Sequence, residues 1–450
     1  MSNDKNLSGP PDVSCASTRA LNIPELSRHI IDFLHNDKDS LRQCSLVCRT
    51  WLPATSYHLF KRLLWPPCQH AFGIREPDNG CSCGLVQDRF WSLLIDLLQS
   101  SQRIRSSVRT LIVAFQWSFV SRPNWAGRVR IGEFCYRTKP SELAAVVDNI
   151  PNLKCLHLRG PMFSPDTTPV DLSTGRSTRI IDELILNSPI TIWTTEEELA
   201  ALQDCLRIFR RISNLQLPYL GEHCADYTLA MATEETMLPE IGSIQFETST
   251  SAALVQVLKI LVATAAPSSV THLRISNLHD AVLSADLVPI LQALPYLEEL
   301  ELSGSHATSV LAPDVAHLFP RLRTLVVFGV VDVGGEGTHA PWLVFEKTGA
   351  CVAPHVEELA LCFALVGPYA CVPDGDILEA LRTCNWSNLT TVVSAYPKST
   401  VTVELMLHAD SVALQDGPAL VAAIQLVEKA ARELMPVYAQ ERVRLQIDAV

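Results

Sequence analysis

The chain has 450 residues, of which 48% are hydrophobic and 19% charged, a composition that builds a folded core and excludes a disordered protein. Its formal net charge of −12 is unevenly spread. Residues 1–130 carry 16 basic and 10 acidic side chains, whereas residues 131–450 carry 20 basic and 38 acidic ones, a net charge of −18. The acidic charge of residues 131–450 argues against nucleic-acid binding, which depends on basic side chains that neutralise phosphates.

The sequence also predicts no membrane span and no export. The first residues are polar and lack the apolar stretch of a secretory signal, and the longest apolar segment, 252–266, is interrupted by Gln256 and Lys259. Fourteen cysteines without an export signal are expected to be reduced thiols. We therefore expect a cytoplasmic or nuclear protein, or one found in both compartments.

Structure is predicted to begin near residue 20, after a disordered leader over 1–19. Pro24 suits the first position of a helix, and Leu26, Ile30 and Leu34 follow at helical spacing. The first predicted element is therefore a short helix with an apolar stripe.

Two more short helices are predicted in the next 30 residues. The second covers 41–51, with Asp39 or Ser40 as its N-cap, and the third begins near Pro53 and runs to about Leu64. A unit of this size is near the limit of what folds unaided. Its surplus of apolar residues therefore suggests that part of this surface contacts another protein.

The order of short motifs here resembles the F-box motif over residues 21–60. Leu21-Asn-Ile-Pro-Glu-Leu is followed by Ile30-Ile-x-x-Leu, Asp39-x-Leu and, as the most specific element, Leu46-Val-Cys-Arg-x-Trp. One conservative departure is Ile23, where the motif usually has leucine before proline. The resemblance, to F-box proteins of the fungal type, implies a three-helix module that binds a Skp-type adaptor and, through it, a cullin–RING ubiquitin ligase. The implied adaptor-binding residues are Ile23, Pro24, Glu25, Leu26, Ile30, Leu34, Leu46, Val47, Cys48 and Trp51. The alternative is that these helices are an ordinary helical cap on the rest of the protein.

The rest of the chain carries a recurring hexapeptide, apolar-x-x-Leu-x-apolar, in which Ile or Val replaces the central leucine in two copies. Central residues from 156 to 392 recur at steps of 25 to 34. Alternating apolar residues predict a short strand with one buried face. The ten copies are 108–113, 153–158, 181–186, 212–217, 241–246, 270–275, 297–302, 322–327, 356–361 and 389–394.

Helical stretches lie between these strands, and several of them end at a proline. One strand and one helix cannot bury a core alone, so neighbouring units must stack. The pattern resembles an irregular leucine-rich-repeat solenoid, although the Asn or Cys that usually follows the Leu-x-x-Leu-x-Leu core is mostly missing. The alternative is an ordinary α/β domain with a parallel sheet.

The predicted fold class is therefore α/β, with five regions along the chain. They are the leader over 1–19, an F-box over 20–65, a linker and connecting helix over 66–104, a leucine-rich-repeat-like solenoid over 105–400, and a strand–helix–strand cap over 401–450.

Few residues suggest chemistry. Cys68, His70, Cys81 and Cys83 could in principle hold zinc, but Cys-x-His and Cys-x-Cys are tighter than usual ligand spacings, so free thiols are the default. The glycines at 334–337 lack the Lys-Ser/Thr of a nucleotide loop. No cofactor and no catalytic residue is predicted.

The sequence thus predicts a non-catalytic substrate receptor of a Skp–cullin–F-box ubiquitin ligase. Its repeats would bind an unidentified target protein, and neither nucleic acid nor a membrane is expected as a partner. The alternative is a scaffold that uses the same adaptor without degrading its partner. A third possibility, an enzyme built on the zinc-like cluster, would require stoichiometric metal.

Overall fold

We describe the protein from a computed structural model. The residues described are 23–47, 49–65, 89–114, 137–160, 162–166, 179–187, 196–220, 239–248, 266, 269–276, 294–303, 320–332, 355–366, 381–382, 384, 386–407 and 417–449. The chain divides into two compact units, residues 1–114 with 145–157, and residues 115–144 with 158–450.

The first unit contains three short helices, two parallel strands and two further helices between those strands. Helix α3 packs against α1, α2 and α5. These elements are α1 (Pro24–Phe33), α2 (Lys38–Val47), α3 (Leu52–Phe60), β1 (Arg62–Trp65), α4 (Phe90–Ser100), α5 (Gln102–Ser107) and β2 (Thr110–Ala114).

The start of α2 differs from the prediction of an Asp39 or Ser40 N-cap. Asp37 takes this role, because its Oδ1 accepts hydrogen bonds from the backbone N–H groups of Asp39 at 3.1 Å and Ser40 at 3.0 Å. The helix therefore begins at Lys38, three residues before the predicted Leu41.

The third helix was also predicted too long, since it ends at Phe60 and Leu64 lies in strand β1. The Lys61 N–H still bonds the Tyr57 carbonyl at 2.8 Å, which closes the last turn. The Lys61 carbonyl then accepts the N–H groups of Arg109 and Thr110, both at 2.9 Å, and so begins the parallel pairing of β1 with β2.

Elements over 137–449 are mostly strands, and the described helices lie before β4, between β6 and β7, and after β12. Helix α6 and strand β4 contribute residues to both units. They are β3 (Arg137–Thr138), α6 (Pro140–Asp148), β4 (Cys155–Arg159), β5 (Met162–Phe163), β6 (Ile180–Asn187), α7 (Glu196–Arg207), β7 (Arg211–Leu220), β8 (Glu240–Thr248), β9 (His272–Ser276), β10 (Glu299–Ser303), β11 (Thr324–Asp332), β12 (Glu358–Val366), α8 (Ser387–Ala395), β13 (Thr400–Leu407), α9 (Gly417–Leu434), α10 (Val437–Gln440) and β14 (Val443–Ala449).

Strands β6 to β14 of the second unit pair in parallel, in the order of the chain. The central residues of successive hexapeptides lie side by side on neighbouring strands, as do Val401 and Val443 further on. This confirms the α/β class with parallel strands. The in-register series is Leu184, Leu215, Ile244, Leu273, Leu300, Leu325, Leu359, Val401 and Val443.

Nine of the ten predicted hexapeptides form strands, β2, β4 and β6 to β12. All three apolar positions of each copy are buried, with at most 8% of the residue exposed. Full burial of one such aliphatic side chain contributes about 1.5–3 kcal/mol before the entropy of folding is subtracted. The repeated pattern is therefore the core of the strand region.

The tenth copy, 389–394, was predicted to be a strand. This prediction is wrong, because the segment lies in helix α8. Leu389, Val392 and Val393 are all fully buried. Their spacing of three and four residues matches one face of a helix, whereas the hexapeptide would bury positions 389, 392 and 394, and Ser394 is exposed. The strand in this part of the chain is β13, which follows the helix.

Close approach of neighbouring strands leaves no room for a side chain at Gly242. A Cβ atom there would lie 2.9 Å from the backbone oxygen of Ser213 on the adjacent strand. The Gly242 carbonyl accepts the N–H of Thr271 at 2.9 Å. The glycine therefore lets successive strands keep their register at this position.

Candidate partner-binding surfaces

The three N-terminal helices enclose a small core of their own. Ile31, Leu41 and Trp51 are buried, and the side chains that pack around them are Leu34, Cys44, Ala54 and Leu59. Each of the three helices thus contributes at least one apolar side chain to a common centre, which fixes the direction of its other faces.

Helix α1 has a second apolar stripe, which we call the outer arc and which consists of Leu26, Ile30 and Phe33. At 100° per residue these positions fall within about 60° of one another. Leu26 is 46% exposed, Ile30 39% and Phe33 85%. Ile23, one helical turn before Leu26, is also exposed. The first helix therefore presents apolar side chains to solvent beside those that it buries.

Helix α2 ends in two exposed apolar residues, Leu46 and Val47, at 85% and 66% exposure. Its start is held by Asp37, whose Oδ2 also accepts the Ser40 hydroxyl at 2.6 Å. Hydrogen bonds from the Ser40 side chain, the Ser40 N–H and the Asp39 N–H hold the pKa of Asp37 below its ordinary value. The charged cap therefore helps to stabilise the helix that carries Leu46 and Val47.

A side-chain hydrogen bond joins α1 to α3. His58 Nε2 lies 2.7 Å from Asp32 Oδ1 across 26 residues of sequence. The His58 side chain is 14% exposed and that of Asp32 63%. This bond holds the last turn of α1, where the outer arc ends, against α3.

The structure places the predicted adaptor-binding residues in different environments. Leu34 is half-buried against the core, and Trp51 is buried, so it supports the surface from beneath and offers little area to a partner. Pro24 begins α1, but its side chain lies outside the described residues, as does Cys48. The exposed residues are Ile23, Glu25, Leu26, Ile30, Leu46 and Val47.

Sequence reasoning missed Phe33. It was not among the implied residues because the F-box resemblance did not include it, yet it is as exposed as Leu46. A signal was present: Phe33 follows Leu26 and Ile30 at helical spacing.

A second surface lies on the outward side of strands β9 to β13, opposite the buried leucines. Across it, Arg274 Nε lies 2.8 Å from Glu301 Oε1, and the Arg274 guanidinium lies over the Phe328 ring at 5.8 Å. His272 Nε2 lies 3.4 Å from Glu299 Oε2. We call this the strand surface, and its residues are His272, Arg274, Glu299, Glu301, Phe328 and Glu404. Cys362 shares this side of the sheet but is buried.

Acidic groups on the strand surface are partly withdrawn from water. Burial raises the pKa of Glu301, which the charge of Arg274 opposes and the charges of Glu299 and Glu404 reinforce. The Cys362 thiol donates to Glu404 Oε2 at 3.2 Å. Burial, followed by the charge of Glu404, raises the pKa of this thiol far above its ordinary value.

The shifts of the buried thiols run opposite to what a nucleophilic cysteine needs. A nucleophilic cysteine needs a lowered pKa. Burial instead raises the pKa of Cys384 to about 11, and it raises that of Cys205 as well. The thiols of Cys205, Cys362 and Cys384 are all buried and stay protonated at neutral pH.

Over the described ranges, no group of three or more His, Cys, Asp or Glu could hold a metal ion. The candidate zinc cluster of Cys68, His70, Cys81 and Cys83 lies outside the described residues, so it stays a hypothesis. Nor does the part of the chain that the structure describes include a helix long and apolar enough to cross a membrane.

Comparison with known proteins identifies no family for the chain. No protein-family model and no curated protein matches it. Among solved structures, it is similar to a chain of the Rad7 and Elc1 complex from yeast, with 13% sequence identity and a TM-score of 0.28 over 87% of this chain and 90% of that one. A likeness of this size does not establish a shared fold.

Proposed function

We propose that the protein is a substrate receptor of a Skp–cullin–F-box ubiquitin ligase. In this proposal α1 to α3 are an F-box that binds a Skp-type adaptor, and the parallel strands with their helices are irregular leucine-rich repeats that bind a target protein. The chain itself performs no bond chemistry, and ubiquitin transfer is left to other subunits. The complex acts in the cytoplasm, the nucleus or both.

One observation carries the adaptor half of the proposal. The three-helix unit buries Ile31, Leu41 and Trp51 but leaves the outer arc of α1 and the end of α2 exposed. Exposed apolar side chains concentrated on one small unit are typical of a protein-binding surface. They fall on helices whose sequence resembles the F-box, including its most specific element.

Support for the target half comes from the strand surface. It combines three carboxylates with one guanidinium, one imidazole and an aromatic ring on neighbouring strands. Rows of polar side chains on the outward side of stacked repeats are suited to extended protein contacts. Their acidic excess favours a target with basic groups.

The adaptor half is tested by measuring the affinity of the full chain for a purified Skp-type adaptor. In the test variant Leu26→Ala, Leu46→Ala and Val47→Ala are combined, because these side chains are exposed and their removal should leave the fold intact. We expect binding to fall at least tenfold. The matched control combines Val421→Ala, Val437→Ala and Tyr438→Ala, which removes exposed apolar groups from α9 and α10 and should not change binding.

Absence of binding by the wild-type chain would overturn the proposal. If the adaptor binds, captured targets can be identified and their half-lives measured with and without the protein. A shorter half-life supports a degradative receptor, whereas an unchanged half-life supports the scaffold alternative.

A further inference from the structure

Phe33 is an exposed aromatic residue that no feature of the first unit explains. It is 85% exposed, whereas the neighbouring Ile31 on the same helix is fully buried. An aromatic side chain offers 150–250 Å² of area for burial, so leaving it in water forfeits a large stabilisation. The described side chains that pack around Ile31, Leu41 and Trp51 do not include Phe33.

The backbone around Phe33 is held in place. The residue before it, Asp32, accepts the hydrogen bond from His58 of α3, and the Asp32 carbonyl lies 2.7 Å from His35 Nδ1. The residue after it, Leu34, packs against the core, and its N–H bonds the Ile31 carbonyl at 3.1 Å. The helix end is thus fixed on both sides of an exposed ring.

A helix end that is already fixed loses less backbone entropy when a partner binds to it. Large aromatic side chains dominate the binding energy of many interfaces when they enter an apolar pocket of the partner. Phe33 also continues the arc of Leu26 and Ile30, so a partner seated on those two residues would reach it without bending around the helix.

We propose that Phe33 is an adaptor-contacting anchor, which ends the outer arc and enters an apolar pocket of the Skp-type adaptor. This inference rests on the proposed function and adds a residue that the sequence resemblance did not assign. It commits the exposed ring to the same partner as Leu26 and Ile30, since all three share one face of α1.

The test compares full-chain variants in calorimetric titrations against the purified Skp-type adaptor. Phe33→Ala should weaken binding about tenfold or more, which corresponds to about 1.4 kcal/mol or more. Phe33→Leu, which keeps an apolar side chain, should give an intermediate loss. The thermal midpoint of the free chain should stay unchanged in both variants, because the ring is already in solvent.

Two controls separate anchoring from general surface effects. His29→Ala removes an exposed polar side chain from the same helix, and Tyr438→Ala removes a partly exposed aromatic ring from α10. Both should bind the adaptor like the wild type. Weaker binding by either one would show that the loss is not specific to Phe33 and would overturn the inference.

The remaining outcomes distinguish this inference from the proposed function. If Phe33→Ala binds within twofold of wild type while Leu26→Ala and Ile30→Ala bind at least tenfold more weakly, the anchor is overturned and the receptor proposal stands. If Phe33→Ala and Phe33→Leu lower the thermal midpoint together with binding, the ring is structural and the anchor is also overturned. If the wild-type chain binds no adaptor, the receptor proposal falls and the anchor falls with it.

Discussion

The N-terminal helices and the repeat strands use similar apolar residues but bury them to different extents. In the nine strand-forming hexapeptides every apolar position is at most 8% exposed. Over α1 and α2, five apolar side chains are 39–85% exposed. A repeat strand has a neighbour that carries the same apolar pattern in register, whereas α1 and α2 each pack on α3 through one side.

Exposure in these two regions therefore follows from architecture rather than from composition. Repetition supplies each strand with a matching surface, so the stack completes its own core. Among the residues that the structure describes, no further apolar layer covers the outer sides of the three short helices around Ile31, Leu41 and Trp51. A partner protein can supply that layer, and the two regions therefore differ in what a substitution should do.

Trp51→Ala gives the largest expected effect. Removal of a buried tryptophan from a core of this size should destabilise the three helices by about 3–5 kcal/mol. Adaptor binding should then be lost through unfolding of the helices. Hydrogen exchange in peptides from residues 23–65 measures the change directly, since amide protection there should fall.

A substitution at the exposed residue Leu46 is the control for Trp51→Ala. Leu46→Ala should weaken adaptor binding while amide protection over 23–65 stays at the wild-type level. Retained protection in Trp51→Ala would contradict its assignment to the core and return it to the contact surface.

Much of the fold could be predicted from the sequence because the hexapeptide spacing reports burial directly. Nine strands were predicted from the recurring hexapeptide, in which the central residue has one apolar residue three positions before it and another two positions after it. The same pattern at Phe60, Leu63 and Trp65 was missed. Leu63 and Trp65 lie in strand β1, but the third helix was predicted to run to about Leu64 and so covered Leu63. Local residue spacing alone could not decide between the two structures.

The candidate site was harder to predict, because exposure depends on tertiary packing. Sequence spacing placed Leu26, Ile30 and Leu34 on one apolar face of α1. The structure divides that face, with Leu34 against the core and the other two in solvent. Trp51 and Phe33 show the same limit, since both are aromatic residues of the same unit and only packing separates their roles.

Leu300→Ala compared with Leu46→Ala sharpens the contrast between the regions. Leu300 is fully buried, so its replacement should lower the free energy of unfolding by about 2–5 kcal/mol. Leu46 is 85% exposed, and its replacement should change stability by no more than about 0.5 kcal/mol. Denaturant titrations that follow the two variants side by side measure both values. A loss above about 2 kcal/mol for Leu46→Ala would show that its side chain is covered in solution.

Asp37→Asn tests the smallest difference, the charged N-cap of α2. Because hydrogen bonds from Ser40 and Asp39 lower the pKa of Asp37 in the folded chain, the stability that the carboxylate contributes is present above its unfolded pKa of about 3.9. That contribution is lost as the pH falls through the lower, folded pKa. Asp37→Asn should therefore reduce the protection of α2 amides at pH 7 and differ little from wild type near pH 2. The control Asp39→Asn removes an exposed pair with Arg42 and a charge of the first helical turn but leaves the cap in place, so it should change protection less than Asp37→Asn. An equal gap between wild type and Asp37→Asn at both pH values would show that the charge of Asp37 contributes nothing to the cap.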